Sequence, residues 1–224
     1  MTEFKIVNWE NVFNESQAFQ KNQPFKFGFI EEFFNREFYE KLYDTYPNID
    51  DFLDGSGMTK AQLVRWWGDH KENEIVRDVD DPNLSKEWNQ LYHYCHSEEF
   101  IENFRKFSGV PVTKLKHFSF LSYRKGGFQL PHIHNVGPST IIMMVYFSKN
   151  WNKDDPGGTY IASEADESKI IFEPYNLDNS VALFHDGPKA AHGTRYITKD
   201  VERRAIQITL EGYSNETGWS AKSE

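Results

Sequence analysis

Cysteine is almost absent from this sequence. Cys95 is the only one among 224 residues, so no intrachain disulfide can form, as expected of a protein in a reducing compartment. Cys95 falls in a helical pattern and reads as a small buried hydrophobe. Long apolar runs are missing too. The N-terminal MTEFKIVNWE carries acids and no hydrophobic signal region, and no stretch approaches a membrane span, so a cytoplasmic protein with no membrane partner is expected. Lys/Arg-rich runs are also lacking. With a net charge of −9 and the bases interspersed among acids, the concentrated patch that phosphate-backbone binding needs is absent, and nucleic acid is not an expected partner. There is no internal repeat and no low-complexity linker.

Aromatic residues are abundant: 19 Phe, 11 Tyr and 6 Trp can build a sizeable core. The chain divides into a helix-rich part and a strand-rich part. Residues 24–31 alternate apolar and polar as a strand does. Phe33, Phe34, Phe38, Leu42 and Tyr43 then recur at helical spacing until Pro47 stops the run. Ser85 is placed to cap a helix through Trp88, Leu91, Tyr92 and Cys95. Ser97 with Glu98 and Glu99 starts another helix, which Gly109 ends. Residues 50–80 are acidic and contain glycine, with Trp66-Trp67 as an apolar exception that suits either a lid or a packing contact. The acidic stretch 69–81 reads as a solvated loop.

From about residue 115 the pattern changes. LKHFSFLSYR, FQLPHIH, STIIMMVYFS, GTYIAS, KIIFEP, SVALFH, HGTRYIT and RRAIQITLEGY are short, rich in β-branched and aromatic residues, and separated by Gly, Pro, Asn and Asp. Such spacing predicts two stacked antiparallel sheets or a barrel. The unbroken apolar run IIMMVYF predicts a central strand.

The sharpest chemical feature is His132-Ile133-His134. Positions i and i+2 of a strand point to one face, so two imidazoles converge without an unusual turn. His192 follows between two further strands and can return beside them. Two ligands from one strand and a third from another make a facial set with open coordination positions, the layout of non-heme iron(II) oxygenases. Taken alone, the HxH pair fits zinc equally well. Arg203 opens the strand RRAIQITL. An inward Arg203 suits a bidentate grip on a carboxylate, and the other reading makes Arg203 and Arg204 surface charges. Tyr123 and Tyr146 have the hydroxyls to assist, or serve as aromatic core.

At these residues the sequence resembles the prolyl-4-hydroxylase-like branch of the 2-oxoglutarate- and iron(II)-dependent oxygenases. The run YRKGGFQLPHIH (123–134) looks like the family's tyrosine, Gly turn and first metal ligand. MVYFSKNW (144–151) followed by Gly157-Gly158 looks like its strand and turn. PYNLDNSVALF (174–184), His192-Gly193 and Arg203-x-Ala205 look like the strand before the distal ligand, that ligand, and the 2-oxoglutarate arginine. FGFIEEFFNREFYEKLYDTYP and CHSEEFIENFRKFSGV resemble the family's entry strand and helices.

The resemblance implies one oxygenase domain over 1–224, a mostly β double-stranded β-helix (jelly-roll). Residues 1–114 form a helix-rich support, 115–213 the core and 214–224 a tail. It implies iron(II) on His132, His134 and His192, and 2-oxoglutarate on Arg203 with Tyr146 and Tyr123. Dioxygen is the oxidant, with no catalytic residue beyond the metal ligands. The reaction is hydroxylation of an amino-acid residue or small molecule, with decarboxylation of 2-oxoglutarate to succinate.

One position departs from the family. Its second ligand is normally Asp or Glu, and here it is His134, which leaves the metal more cationic. His134 either ligates as part of a neutral triad or turns away and leaves the position to water or to an acid such as Asp186; a third outcome is that 2-oxoglutarate chemistry is lost. His185 lines the pocket or lies in a surface loop. Two rivals remain. A three-His cupin dioxygenase without 2-oxoglutarate matches Gly126 and HxH but lacks the Glu expected after them. A non-catalytic jelly-roll would hold zinc or nothing.

Overall fold

The computed structural model describes residues 5–68 and 77–212. Two short helices, α1 (Trp9–Asn14) and α2 (Ser16–Lys21), lead into strand β1 (Phe27–Glu31) and helix α3 (Arg36–Asp44). Three short strands follow: β2 (Leu53–Asp54), β3 (Lys60–Ala61) and β4 (Leu63–Trp66). Helices α4 (Lys86–His96) and α5 (Glu98–Ser108) start as their caps require. Ser85 accepts a hydrogen bond from Trp88 N, Ser97 accepts one from Phe100 N, and Gly109 closes α5 in the left-handed conformation at φ 64°. The remaining strands are β5 (Lys114–Tyr123), β6 (Phe128–His132), β7 (Thr140–Phe147), β8 (Thr159–Ala162), β9 (Ile170–Phe172), β10 (Asp178–His185), β11 (Ala191–Thr194) and β12 (Arg203–Glu211).

The strands form two antiparallel sheets of a double-stranded β-helix. The larger runs β1-β10-β7-β12-β5-β4-β2 and the smaller β3-β6-β11-β8-β9. The sheets extend beyond residues 115–213: β1 joins the major sheet beside β10, and the 53–66 segment gives strands to both sheets. β7 is central, and every one of its residues is buried, because it has a partner strand on each side and a covering layer on each face.

Strand alternation sorts the major sheet into two environments. Phe118, Phe120, Val145, Phe147, Ile206 and Ile208 face the helices and join one core with Phe38, Leu42, Trp88, Leu91 and Phe104. Burial of each large apolar side chain there stabilises by roughly 1.5–3 kcal/mol. The opposite face carries Val64, Leu121, Tyr123, Met144, Tyr146 and Ala205 in a second cluster. The helices thus hold the outer face rigid while the inner face is left for a cavity.

Cys95 is fully buried, and burial pushes its thiol up. The acidic stretch is not wholly solvated. Residues 69–76 lie outside the described residues, but Asp81 is buried, pairs with Arg65 at 2.8 Å and accepts from Gly68 N at 2.9 Å. The tail assigned to 214–224 also lies outside the described residues. No described helix is long and apolar enough to cross a membrane.

Candidate metal and anion site

His132 ends β6, and its partner in register on β11 is His192. His134 follows two residues later. The three form the one His/Cys/Asp/Glu group among the described residues whose ligand atoms gather for a metal, all within 4.8 Å of one another. His132 Nε2 and His134 Nε2 stand 2.9 Å apart. Nitrogens sharing one ion at about 2.1 Å on adjacent positions stand about 3 Å apart, so the spacing fits. Nδ1–H of His132 donates to Leu130 O at 2.9 Å, and Nδ1–H of His192 donates to Ala190 O at 2.8 Å. These bonds fix the tautomer and leave each Nε2 as the unprotonated nitrogen, with Gln129 Nε2 3.4 Å from that of His132. Burial, then the neighbouring imidazoles, holds the His134 and His192 values below the usual range, His192 farthest; burial is also the leading cause for His132. All three are neutral at neutral pH, the state a metal ligand needs.

The backbone around the triad is pinned by Asp186. Its buried carboxylate accepts from Asn135 N at 3.3 Å and Val136 N at 2.6 Å, and its own N–H donates to Thr140 O at 2.9 Å. Asn135 is in the left-handed region at φ 50°, which lets the chain turn directly after His134. Asp186 is therefore engaged with the backbone and is not part of the metal-ligand group. His185 is outside the cavity wall, half-buried and bonded to the Pro138 carbonyl. Gly193 permits the close approach of three strands: a Cβ there would lie 2.4 Å from Tyr160 Oη and 2.7 Å from Gln129 O.

Arg203 is fully buried, as an inward residue at the start of β12, while Arg204 faces outward and pairs with Glu202 at 3.2 Å. Arg203 Nε donates to Gly157 O at 2.9 Å and Nη2 donates to Thr159 Oγ1 at 3.3 Å. Nη1 is buried without a partner, and no described carboxylate pairs with this guanidinium. The rings of Tyr123 and Tyr146 flank it at 4.8 and 4.9 Å. Tyr146 Oη accepts from Thr159 N at 2.8 Å, and Tyr123 Oη donates to Gln62 Oε1 at 2.7 Å. Burial pushes both phenols up, so both keep their protons. The Trp151–Gly158 segment supports this pole. At φ 144°, Gly157 lies so close to the Trp151 ring that a Cβ would come within 2.5 Å of it. A buried cation with an unused donor is costly unless an anion completes it, so the residues present fit a carboxylate ligand.

A cavity of about 820 Å³ opens beside the triad. His132, His134, His192 and Thr159 line it, whereas Arg203, Tyr123 and Tyr146 lie behind its open wall, Arg203 and Tyr146 joined to it through Thr159 and Tyr123 through Gln62. Sequence reasoning missed Lys60, Gln62 and Val64, which reach the cavity from the 53–66 strands; two-residue strands leave no periodic signal there. It also missed His117, which burial, then His134 and Lys116, pushes down to about 4. The tryptophan pair splits. Trp66 faces the cavity edge-on to His117, with ring centres 5.1 Å apart, and Trp67 is buried and stacked on Tyr92 at 3.9 Å.

No protein-family model and no curated protein matches this chain. Solved structures do. A prolyl-4-hydroxylase from Pseudomonas putida matches at TM-score 0.64 and 11% identity, over 88% of this chain and 98% of its own. A prolyl hydroxylase from Trichoplax adhaerens, solved with a hypoxia inducible factor peptide fragment, matches at TM-score 0.64 and 16% identity, over 91% and 88%. HygX from Streptomyces hygroscopicus, solved with nickel and 2-oxoglutarate, matches at TM-score 0.58 and 12% identity, over 90% and 86%. The chain shares their fold over nearly its whole length.

Proposed function

We propose that this chain is an iron(II)- and 2-oxoglutarate-dependent oxygenase that hydroxylates an amino-acid residue or a small molecule. His132, His134 and His192 hold the metal as a neutral triad. Arg203 holds the distal carboxylate of 2-oxoglutarate, with Tyr146 and Tyr123 beside it. The observation that carries this reading is the buried, unpaired Arg203 Nη1, which the major sheet turns toward β8 of the minor sheet, the sheet that carries His132 and His192. A metal-only jelly-roll has no use for such a cation. Support also comes from fold neighbours solved with nickel and 2-oxoglutarate and, for the two kinds of substrate, with a peptide or hygromycin B.

When bound, the iron couples oxidative decarboxylation of 2-oxoglutarate to substrate oxidation, one atom of dioxygen entering succinate and the other the new hydroxyl. The protein's own groups prepare this. Arg203 offers a planar donor fork already oriented by Gly157 O and Thr159 Oγ1. Tyr146 Oη accepts from Thr159 N, which leaves its own proton free for the carboxylate. The neutral imidazoles need no deprotonation before binding metal.

The test is anaerobic titration of 2-oxoglutarate into the iron(II)-loaded protein, read by the weak visible charge-transfer band. A saturating band that Arg203→Ala abolishes is expected. Iron binding without a band would turn the reading to a three-His dioxygenase that does not use 2-oxoglutarate. Absence of iron binding would leave a non-catalytic module.

A further inference from the structure

The inner face of the major sheet is graded from one pole of the cavity to the other, and strand register gives the order. Arg203 pairs with Tyr123 in the first row. Tyr146, Ala205, Leu121 and Val64 form the second, which is apolar apart from the tyrosine hydroxyl. Met144, Gln207, Ser119 and Trp66 form the third. Ile142, Thr209 and His117 form the fourth, and Thr140 with Glu211 the fifth. The apolar second row separates the anion pole from the last three rows, all of whose members line the cavity.

Six of the nine members of these last three rows are polar, and their one carboxylate is paired. The Glu211 carboxylate is held by Lys114 at 3.1 Å and Lys116 at 3.9 Å. The Ser119 hydroxyl is bonded to His117 Nε2 at 2.8 Å. Gln207, Thr209 and Thr140 line the cavity with no side-chain partner among the described residues. An amide and two hydroxyls each both donate and accept, which complements alcohol groups, themselves donors and acceptors. None of the three carries a formal charge, so the groups they complement best are neutral ones. Trp66 adds a half-buried aromatic surface at the row's edge for the C–H face of a ring. The other charged residues at the cavity, Asp54 on β2 and Lys60 on β3, lie outside these rows, Lys60 in the other sheet opposite Gln129.

We infer that this half of the cavity takes a neutral polyhydroxylated ring, a sugar or cyclitol, as the molecule to be oxidised. The inference rests on the oxygenase reading for its chemistry and on the wall alone for its recognition.

The test is saturation-transfer NMR on the full chain loaded with nickel(II) and 2-oxoglutarate. The panel is D-glucose, D-mannose, D-galactose and myo-inositol against L-proline, L-lysine and D-glucuronate. Binding of at least one neutral sugar or cyclitol is expected, weakened at least tenfold by Gln207→Leu and by Thr209→Val, with 2-oxoglutarate still bound in both. Gln207→Glu, close in size, separates loss of recognition from loss of fold. Binding of the amino acids alone overturns the inference, as does preference for glucuronate that Lys60→Met removes. No panel binding with 2-oxoglutarate bound also overturns it and leaves the oxygenase reading intact. Sugar binding without 2-oxoglutarate binding supports recognition of the ring by the wall and overturns its role as the molecule to be oxidised, together with the oxygenase reading.

Discussion

His132 and His192 face each other across the β6–β11 ladder, one from each strand, with ring centres 4.3 Å apart. Each has Nδ1 tied to a carbonyl two residues earlier on its own chain, Leu130 for one and Ala190 for the other. The ladder itself therefore sets the distance between these two imidazoles. Gly193 follows His192 where a Cβ would lie 2.7 Å from Gln129 O, a backbone atom that cannot move aside cheaply. Gly193→Ala is expected to destabilise the protein by about 1–3 kcal/mol through overpacking. It is also expected to weaken nickel(II) binding by forcing β11 away from β6. Thermal melting together with metal titration by calorimetry checks both effects, and unchanged metal affinity would show that the ladder does not set the ligand spacing.

Asp186 acts on the site through the backbone. Its carboxylate holds Asn135 N and Val136 N, the two residues after His134. In Asp186→Asn, one oxygen becomes an NH2 group that cannot accept, leaving one of those N–H groups unsatisfied at a cost of about 1–3 kcal/mol. Metal affinity should fall roughly 10- to 100-fold, the usual effect of losing a group that orients ligands. Nickel(II) titration of the variant gives the answer, and an affinity equal to that of the parent would sink the positioning role.

The strands from residue 114 onward are legible in the sequence because each is an apolar run bounded by turn residues, and the inward turn of Arg203 follows from the alternation of β12. The histidine cluster is legible because HxH on an extended chain places two imidazoles on one face. The 53–66 strands are not legible. β2 and β3 have two residues each, and neither carries an alternation to read. Helices α1 and α2, of six residues each, are too short for a helical period to stand out. Asp186 is hidden for another reason: its partners are backbone N–H groups, which leave no trace in residue type.

Acid should weaken the metal-free protein. The ordinary imidazole value is 6.5, and His117 in the folded chain is pushed down to about 4. Between these values the unfolded chain binds a proton that the folded chain refuses, so stability rises with pH across that window. The His117 contribution is complete above about pH 6.5 and is lost as pH falls toward 4. His132, His134 and His192 shift in the same direction. His93 runs oppositely. Asp80 and Asp78 raise it, so its contribution is present below 6.5 and is lost as pH rises through its raised value. That pair is exposed and screened, so the cavity histidines dominate. The urea midpoint is expected to be lower at pH 5 than at pH 7.5, with a smaller drop in His117→Gln. An equal drop in that variant would assign the effect elsewhere.

The adjacent tryptophans should behave differently when truncated. Trp67 is 1% exposed, stacks on Tyr92 of α4 at an interplanar angle of 6°, and donates from Nε1 to Val79 O at 2.8 Å. It thereby ties β4 to α4 and to the chain leading into that helix. Trp67→Ala removes the stack, leaves a cavity and strands a carbonyl partner, at an expected cost of about 3–5 kcal/mol. Trp66 is half-buried on the cavity wall, and its neighbour His117 keeps its bond to Ser119 without it. Trp66→Ala should therefore cost far less stability while altering whatever binds in the cavity. Melting temperatures of the two variants, measured without ligand, separate these roles. Equal losses would mean that Trp66 is also a structural residue and would remove it from the recognition surface.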